Sequence, residues 1–170
     1  MNDNAAFDEA VKATRKYVTS NPTSTVAATV EVVKNQQMAS ALKSYERVQI
    51  FMAAVITPEF FKNGDVGRHK DALERLIGGN QIVMRHAIAG AERMLVDTPK
   101  VFPVLLKTLY DEDVVDEDAI LLWAGCEGGE EDEYLVVLDE GKRGKLREAA
   151  KPLVEWLEEA ESEEDSSGEE

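Results

Sequence analysis

An all-α chain of antiparallel helical hairpins is predicted by two observations. Apolar residues recur at spacings of three and four through most of the 170 residues, the period of an amphipathic helix. Breaks at Asn21-Pro22, Thr57-Pro58, Gly78-Gly79 and Thr98-Pro99 divide the chain into segments of about 15 residues joined by short loops, the layout of an α-solenoid. No exact sequence repeat accompanies this pattern.

The elements follow in order. A first helix spans about Ala5 to Val18 and stops before Asn21-Pro22. Ser24 or Thr25 opens a second, which carries Val26, Val30 and Val33 to about Met38. The third, about Ala41 to Ile56, repeats Leu42, Tyr45, Val48, Phe51, Met52 and Val55. Thr57-Pro58-Glu59 has the form of an N-cap with proline at the first helical position. Asn63-Gly64 and Gly67 mark a turn, and Gly78-Gly79 ends the helix after it. Asn80 caps a helix through Val83, Ala87, Ile88, Ala91 and Leu95. Thr98-Pro99 repeats the cap-plus-proline signal for a helix to Tyr110, and Asp113 or Asp116 caps a short helix bearing Trp123. Residues 125–141 read as a glycine-rich acidic loop in which Tyr134 to Leu138 is strand-like or a helical turn. The last helix spans about Lys142 to Glu163, with a kink or break near Lys151 because Pro152 lies inside it. Residues 1–163 thus form one domain, and residues 164–170 are a tail too polar to fold.

Charge is the second organising feature. The formal net charge is −15, and it is unevenly placed. Residues 1–107 hold 14 Lys/Arg against 11 Asp/Glu (net +3), whereas residues 108–170 hold 5 against 23 (net −18). Such asymmetry implies a surface directed at a partner. It repels nucleic acid and anionic membranes and attracts lysine-rich segments. The single cysteine, Cys126, excludes an intramolecular disulfide and fits a reducing compartment. No signal sequence opens the chain, and no run reaches the roughly 18 apolar residues of a membrane helix. The expectation is a soluble, cytoplasmic protein.

Both tryptophans lie in the acidic segment, each on an apolar helical face flanked by carboxylates. Trp123 follows Tyr110, Asp111, Glu112, Asp113, Asp116, Glu117 and Asp118; Trp156 sits among Glu155, Glu158, Glu159, Glu161, Glu163 and Glu164. Trp123 shares a face with Ile120 and Ala124, and Trp156 with Leu153, Leu157 and Ala160, so both indoles also read as packing residues. The carboxylates read either as a solvated face or as a binding surface. Catalysis would need convergent groups of other kinds. His69, His86 and Cys126 do not make a zinc set, Asp111-Glu-Asp113 lacks the rest of a calcium loop, and there is no phosphate loop. Neither metal nor cofactor is expected, and no enzymatic activity.

The segment from about Asn80 onward resembles the two-tryptophan C-terminal domain of eukaryotic translation initiation factor 5, a domain of atypical HEAT repeats shared with the epsilon subunit of initiation factor 2B. The resemblance rests on Leu106-Lys-Thr-Leu-Tyr-Asp-Glu-Asp-Val-Val-Asp-Glu-Asp-Ala-Ile-Leu-Leu-Trp123 and on Ala149-Ala-Lys-Pro-Leu-Val-Glu-Trp-Leu-Glu-Glu-Ala-Glu-Ser-Glu-Glu164. It implies an adaptor whose two aromatic–acidic boxes bind lysine blocks in the tail of the initiation factor 2 beta subunit, with further contacts to initiation factors 3 and 1. The factor's GTPase-activating function belongs to a zinc domain with four cysteines, so it is not expected of this chain, which is either part of a longer factor or a stand-alone adaptor. The implied rivals are a nucleotide-exchange domain of the factor 2B epsilon type and a generic acidic chaperone for basic proteins. A monomer is expected.

Two further features stand beside the boxes. Arg68, His69, Lys70, Arg75, Arg85, His86 and Arg93 form either an ordinary mixed surface, given Asp71, Glu74 and Glu92 among them, or a weak contact for RNA or another factor. Ser162, Ser166 and Ser167 each have an acid three residues on, the pattern of acid-directed kinases of the casein kinase 2 type. Phosphorylation there would add about −1.5 to −2 charge per site.

Overall fold

A computed structural model describes residues 3–125 and 140–167. Its helices are α1 (Asp3–Ser20), α2 (Val26–Ala39), α3 (Arg47–Val55), α4 (Phe60–Asn63), α5 (Asp65–Arg68), α6 (Lys70–Ile77), α7 (Gln81–Leu95), α8 (Phe102–Asp111), α9 (Glu117–Trp123) and α10 (Glu140–Ser167), with a 3-10 turn at Ser44–Glu46 before α3. All regular structure among the described residues is helical, as the periodicity predicts. The segment Tyr134–Leu138 and Cys126 lie outside the described residues.

Several boundaries move for local reasons. Thr25 caps α2, its hydroxyl accepting from the Ala28 N–H at 3.1 Å, while Ser24 bonds the Tyr17 hydroxyl instead. The third helix starts at Arg47 rather than near Ala41. Ala41 takes a left-handed φ of 54°, and the Lys43 N–H donates to the Glu46 carboxylate, so the chain turns before it coils. Thr57-Pro58 does not open a helix directly. Thr57 is held through its N–H and hydroxyl by Asp65, and the chain makes two single-turn helices, α4 and α5, around Gly64. That residue supplies the left-handed φ of 67°, which glycine adopts without steric cost. Gly67 lies inside α5 rather than in a turn. Pro99 likewise precedes its helix, which begins at Phe102 with Pro103 in the first turn. Pro152 does not break α10. The hydrogen bond it removes would have ended on the carbonyl of Glu148, an exposed residue, while Ala150, Leu153 and Val154 are buried to either side. The bounds of α10 extend to Ser167, past the residue at which composition places the start of the tail.

The helices stack partly on sequence neighbours and partly across the chain, with α2 also against α6. α1 packs on α2 and α3, α3 crosses α7, α7 meets α8 and α9, and α10 lies across α8 and α9. The α3–α7 crossing is close: a Cβ on Gly90 would lie 3.2 Å from Gln49 Cγ and 3.4 Å from its Cα, so a larger residue there would push Gln49 back by a few tenths of an ångström. One continuous core runs through all of this, from Phe7 and Ala10 in α1 to Leu153 and Leu157 in α10.

An ion pair is buried in that core. Arg143 of α10 donates through Nε to Glu92 of α7 at 3.1 Å, with side chains 6% and 1% exposed. Burial pushes the Glu92 carboxyl up to about 7; the charge of Arg143, the indole of Trp123 and the charge of Arg147 oppose that rise. The ordinary value is 4.5, so between 4.5 and about 7 the folded chain holds a proton that the unfolded chain has lost. Stability from this site is complete below about 4.5 and falls as pH rises through about 7. Glu92→Gln removes that slope. Thermal melts at about pH 5 and about pH 8 should show the Tm of the native chain falling relative to that of the variant; parallel pH profiles would contradict the assignment.

Candidate functional site

The first acidic box is built by the end of α8, a short loop and the start of α9. Val114 and Val115 are buried, and their N–H groups both donate to the Leu109 carbonyl. This pins the loop and leaves Asp111, Asp113 and Asp118 exposed. Asp113 adopts a left-handed φ of 60°, which a short polar side chain tolerates. Asp116, not Asp113, caps α9: one carboxylate oxygen accepts from the Ala119 N–H at 2.9 Å, and the other accepts from the Gln81 amide. Both oxygens of Asp116 therefore serve the fold. Glu112 and Glu117 are half-buried, the former with its carboxylate against Gly67. Of the carboxylates predicted in this box, Asp111, Asp113 and Asp118 are the ones presented to solvent.

The second box is one face of α10. Leu153, Val154 and Leu157 face the core, while Glu155, Trp156, Glu158 and Glu159 are exposed. Ser162 is exposed as well. The side chains of Glu161, Glu163, Glu164, Ser166 and Ser167 lie outside those described.

The two tryptophans, alike in sequence, have different environments. Trp123 is 3% exposed and packs on Phe102 at a ring separation of 5.3 Å. Arg147 lies over its ring at 5.7 Å and donates to its carbonyl at 3.0 Å. Trp156 is 47% exposed. It meets the edge of Tyr110 at 6.2 Å, and the Lys107 ammonium lies 5.6 Å from its ring centre. The same ammonium pairs with Asp111 at 2.8 Å. Packing of α10 on α8 thus brings Tyr110 and Asp111 of the first box to Trp156 of the second. Trp123 stays inside as a core residue.

Beside Trp156 lies an apolar groove of about 460 Å³, bounded by Phe61 of α4, by Pro103 and Val104 of α8, and by Pro152 and Leu153 of α10. Phe61 is 74% exposed and Val104 42%. These residues do not belong to either sequence-predicted box. A signal for them exists: Val104 falls just off the buried stripe of Leu105, Leu106 and Leu109, and of the doublet Phe60-Phe61 only Phe60 is buried. Apolar residues off the core face are the ones that remain on a surface.

The basic residues in the middle of the chain do not form one surface. His86 is buried and stacked on Tyr45 at 4.2 Å; burial lowers its pKa to about 4. Arg93 lies 3.9 Å over the Phe7 ring and donates to Gln49. His69 is half-buried with its ring edge-on to Phe51, and Arg68 donates to the Asn63 carbonyl. Glu92, read in sequence as one of the acids dispersed on that surface, is the buried partner of Arg143. Among the described residues, no group of three or more His, Cys, Asp or Glu side chains is placed to hold a metal ion, and no helix is long and apolar enough to cross a membrane.

Residues 83–167 match the model of the W2 family, described as eIF4-gamma/eIF5/eIF2-epsilon. Eukaryotic translation initiation factor 5 of Phaseolus vulgaris is 37% identical over 90 residues, covering 51% of this chain and 18% of that protein. The Caenorhabditis elegans factor of the same name is 25% identical over 130 residues, covering 74% of this chain and 28% of its own length. The chain therefore spans less than a third of either relative. The solved structure titled "The C-terminal Domain of Translation Initiation Factor 5 at low pH" superposes with a TM-score of 0.67 at 22% identity, covering 96% of both chains; this likeness establishes the all-α, HEAT-like fold.

The contrast between the indoles sets a stability test. Trp123→Ala empties a core site and should cost about 3–5 kcal/mol. Trp156→Ala removes a half-exposed ring and should cost about 1 kcal/mol or less. Urea denaturation of the two variants checks both; equal losses would contradict the division into core and surface.

Proposed function

The chain belongs to the W2 family, and on that premise we propose that it is an adaptor of translation initiation that captures lysine-rich tails on an acidic surface around Trp156. The observation that carries the proposal is the convergence of Tyr110 and Asp111 from α8 on Trp156 of α10, an exposed indole preceded and followed along α10 by the exposed Glu155, Glu158 and Glu159. The tail of the initiation factor 2 beta subunit is the first partner of this kind, and initiation factors 3 and 1 are further ones, with the cytoplasm as the setting. Glu161, Glu163 and Glu164 follow in the sequence and add negative charge to this end of the chain, and an acid-directed kinase acting on Ser162, Ser166 or Ser167 would add more.

The chemistry is that of many weak pairs rather than one strong one. An exposed carboxylate–ammonium pair contributes ~0–1 kcal/mol, so affinity is built from several such pairs acting together with apolar contact at the exposed ring. Long-range attraction to a surface this negative speeds encounter, and salt screens it within roughly 10 Å at 0.1 M. A GDP-release assay on factor 2 separates this reading from an exchange domain of the factor 2B epsilon type. Equal binding of histone tails and of the factor 2 tail would instead mark a generic acidic chaperone.

Calorimetric titration with the lysine-block tail of the factor 2 beta subunit tests the proposal. The triple variant Glu155→Ala, Glu158→Ala, Glu159→Ala should weaken binding by about tenfold or more, and the native affinity should drop steeply as salt is raised. Affinity unmoved by the variant, in a sample whose circular dichroism is unchanged, would sink it.

A further inference from the structure

Lysine recognition by aromatic–acidic surfaces uses two contacts, the face of a ring and a carboxylate. At Trp156 both are already occupied from within the chain. The Lys107 ammonium is 5.6 Å from the centre of Trp156 and 2.8 Å from Asp111. The pair is half-exposed, at 50% for each side chain, so it is held by a short i to i+4 reach along α8 rather than by burial. An incoming lysine gains little at Trp156 unless it displaces Lys107. The adjoining groove of about 460 Å³ is different. Its walls are mostly carbon, its size is within the ~300–1,000 Å³ usual for sites that take up a ligand group, and Phe61 and Val104 stand open at its rim. Asp111 lines it together with its partner Lys107, and Glu155 and Glu159 are exposed on α10, one residue before and three residues after Trp156.

From this arrangement we infer that the surface reads more than charge: it takes a basic segment carrying a large apolar side chain, with that side chain in the Phe61–Val104–Trp156 groove and its flanking lysines on the bordering carboxylates. The inference rests on the adaptor reading and deepens it by naming what distinguishes a true partner from a plain lysine run. Charge complementarity selects this occupant, because the chain has a net charge of −15 and exposed carboxylates, Asp111, Glu155 and Glu159, on the two helices that wall the groove, so a second copy would bring like charge, which is repulsive. Lys107 is the specificity element: as a resident lysine, it blocks the position where lysine alone would gain most.

Two synthetic peptides of equal positive charge make the test, one of lysine with alanine spacers and one in which a central alanine is replaced by phenylalanine. Calorimetry with the full chain should give about tenfold tighter binding of the phenylalanine peptide. The double variant Phe61→Ser, Val104→Ser changes only exposed side chains and should bring the ratio close to one. Lys107→Met should tighten binding of the lysine peptide and so narrow the ratio from the other side. Equal binding of the two peptides by the native chain, or a ratio that the groove variant leaves unchanged, overturns the inference while leaving charge capture intact; a lysine peptide no tighter on the Lys107 variant removes Lys107 from it. Absence of binding by either peptide to folded protein overturns the adaptor reading itself. Dimerisation in sedimentation, abolished by the groove variant, also overturns the inference, because a second copy would then be the occupant.

Discussion

Burial of one stripe of α10 is the constraint on which the rest of the surface depends. Leu146, Ala150, Leu153 and Leu157 are at most 9% exposed, at spacings of four, three and four, and they seal α10 against α8 and α9. Burying each of the three leucines stabilises by roughly 1.5–3 kcal/mol, so the face that packs is decided by the apolar stripe. Once Leu153 and Leu157 face inward, Trp156 and Glu155 have no choice but to face outward, because neighbours in a helix are separated by about a quarter turn. The acidic face of α10 and the end of α8 meet as a consequence of packing that has nothing to do with charge.

Two arginines near the start of α10 lock that packing in register. Arg143 reaches the buried Glu92 of α7, and Arg147 closes on Trp123 through its ring and its carbonyl. A buried ion pair contributes little net stability against an apolar replacement, but losing one partner costs about 3–5 kcal/mol. Its consequence here is positional: a slip of α10 by one residue would strand Glu92 without its cation. Trp123 belongs to this lock. An indole that reads in sequence as the twin of Trp156 is instead a wall of the interior beside Glu92.

The acidic surface has a stability penalty of its own. Glu164 and Asp165 fall in the last turn of α10, the negative end of the helix dipole, where carboxylates are unfavourable by a few tenths of a kcal/mol to about 1 kcal/mol each. The exposed Phe61, Val104 and Trp156 leave apolar area in water. Exposed apolar side chains gathered in one place are a departure from local stability rules of the kind found where a surface serves a partner.

The amino-acid sequence by itself determined the all-α class, the acidic segment, the cap at Asn80 and a choice of two residues for each of the caps of α2 and α9, because each of these is set by residues within a turn or two of one another. The starts of α3, α4 and α8 were not legible. They depend on a left-handed Ala41, on the reach of Asp65 back to Thr57, and on where a proline turn meets packed helices. The roles of the tryptophans were not legible either, since each lies on an apolar face and only the neighbouring helix decides which face is covered. Tertiary structure alone placed Trp123 inside, Trp156 outside, Glu92 against Arg143, and Phe61 with Val104 beside Lys107. The physical reason is the same throughout: hydrogen-bonded caps and periodicity act along the chain, whereas burial and ion pairing join residues that the chain separates by dozens of positions.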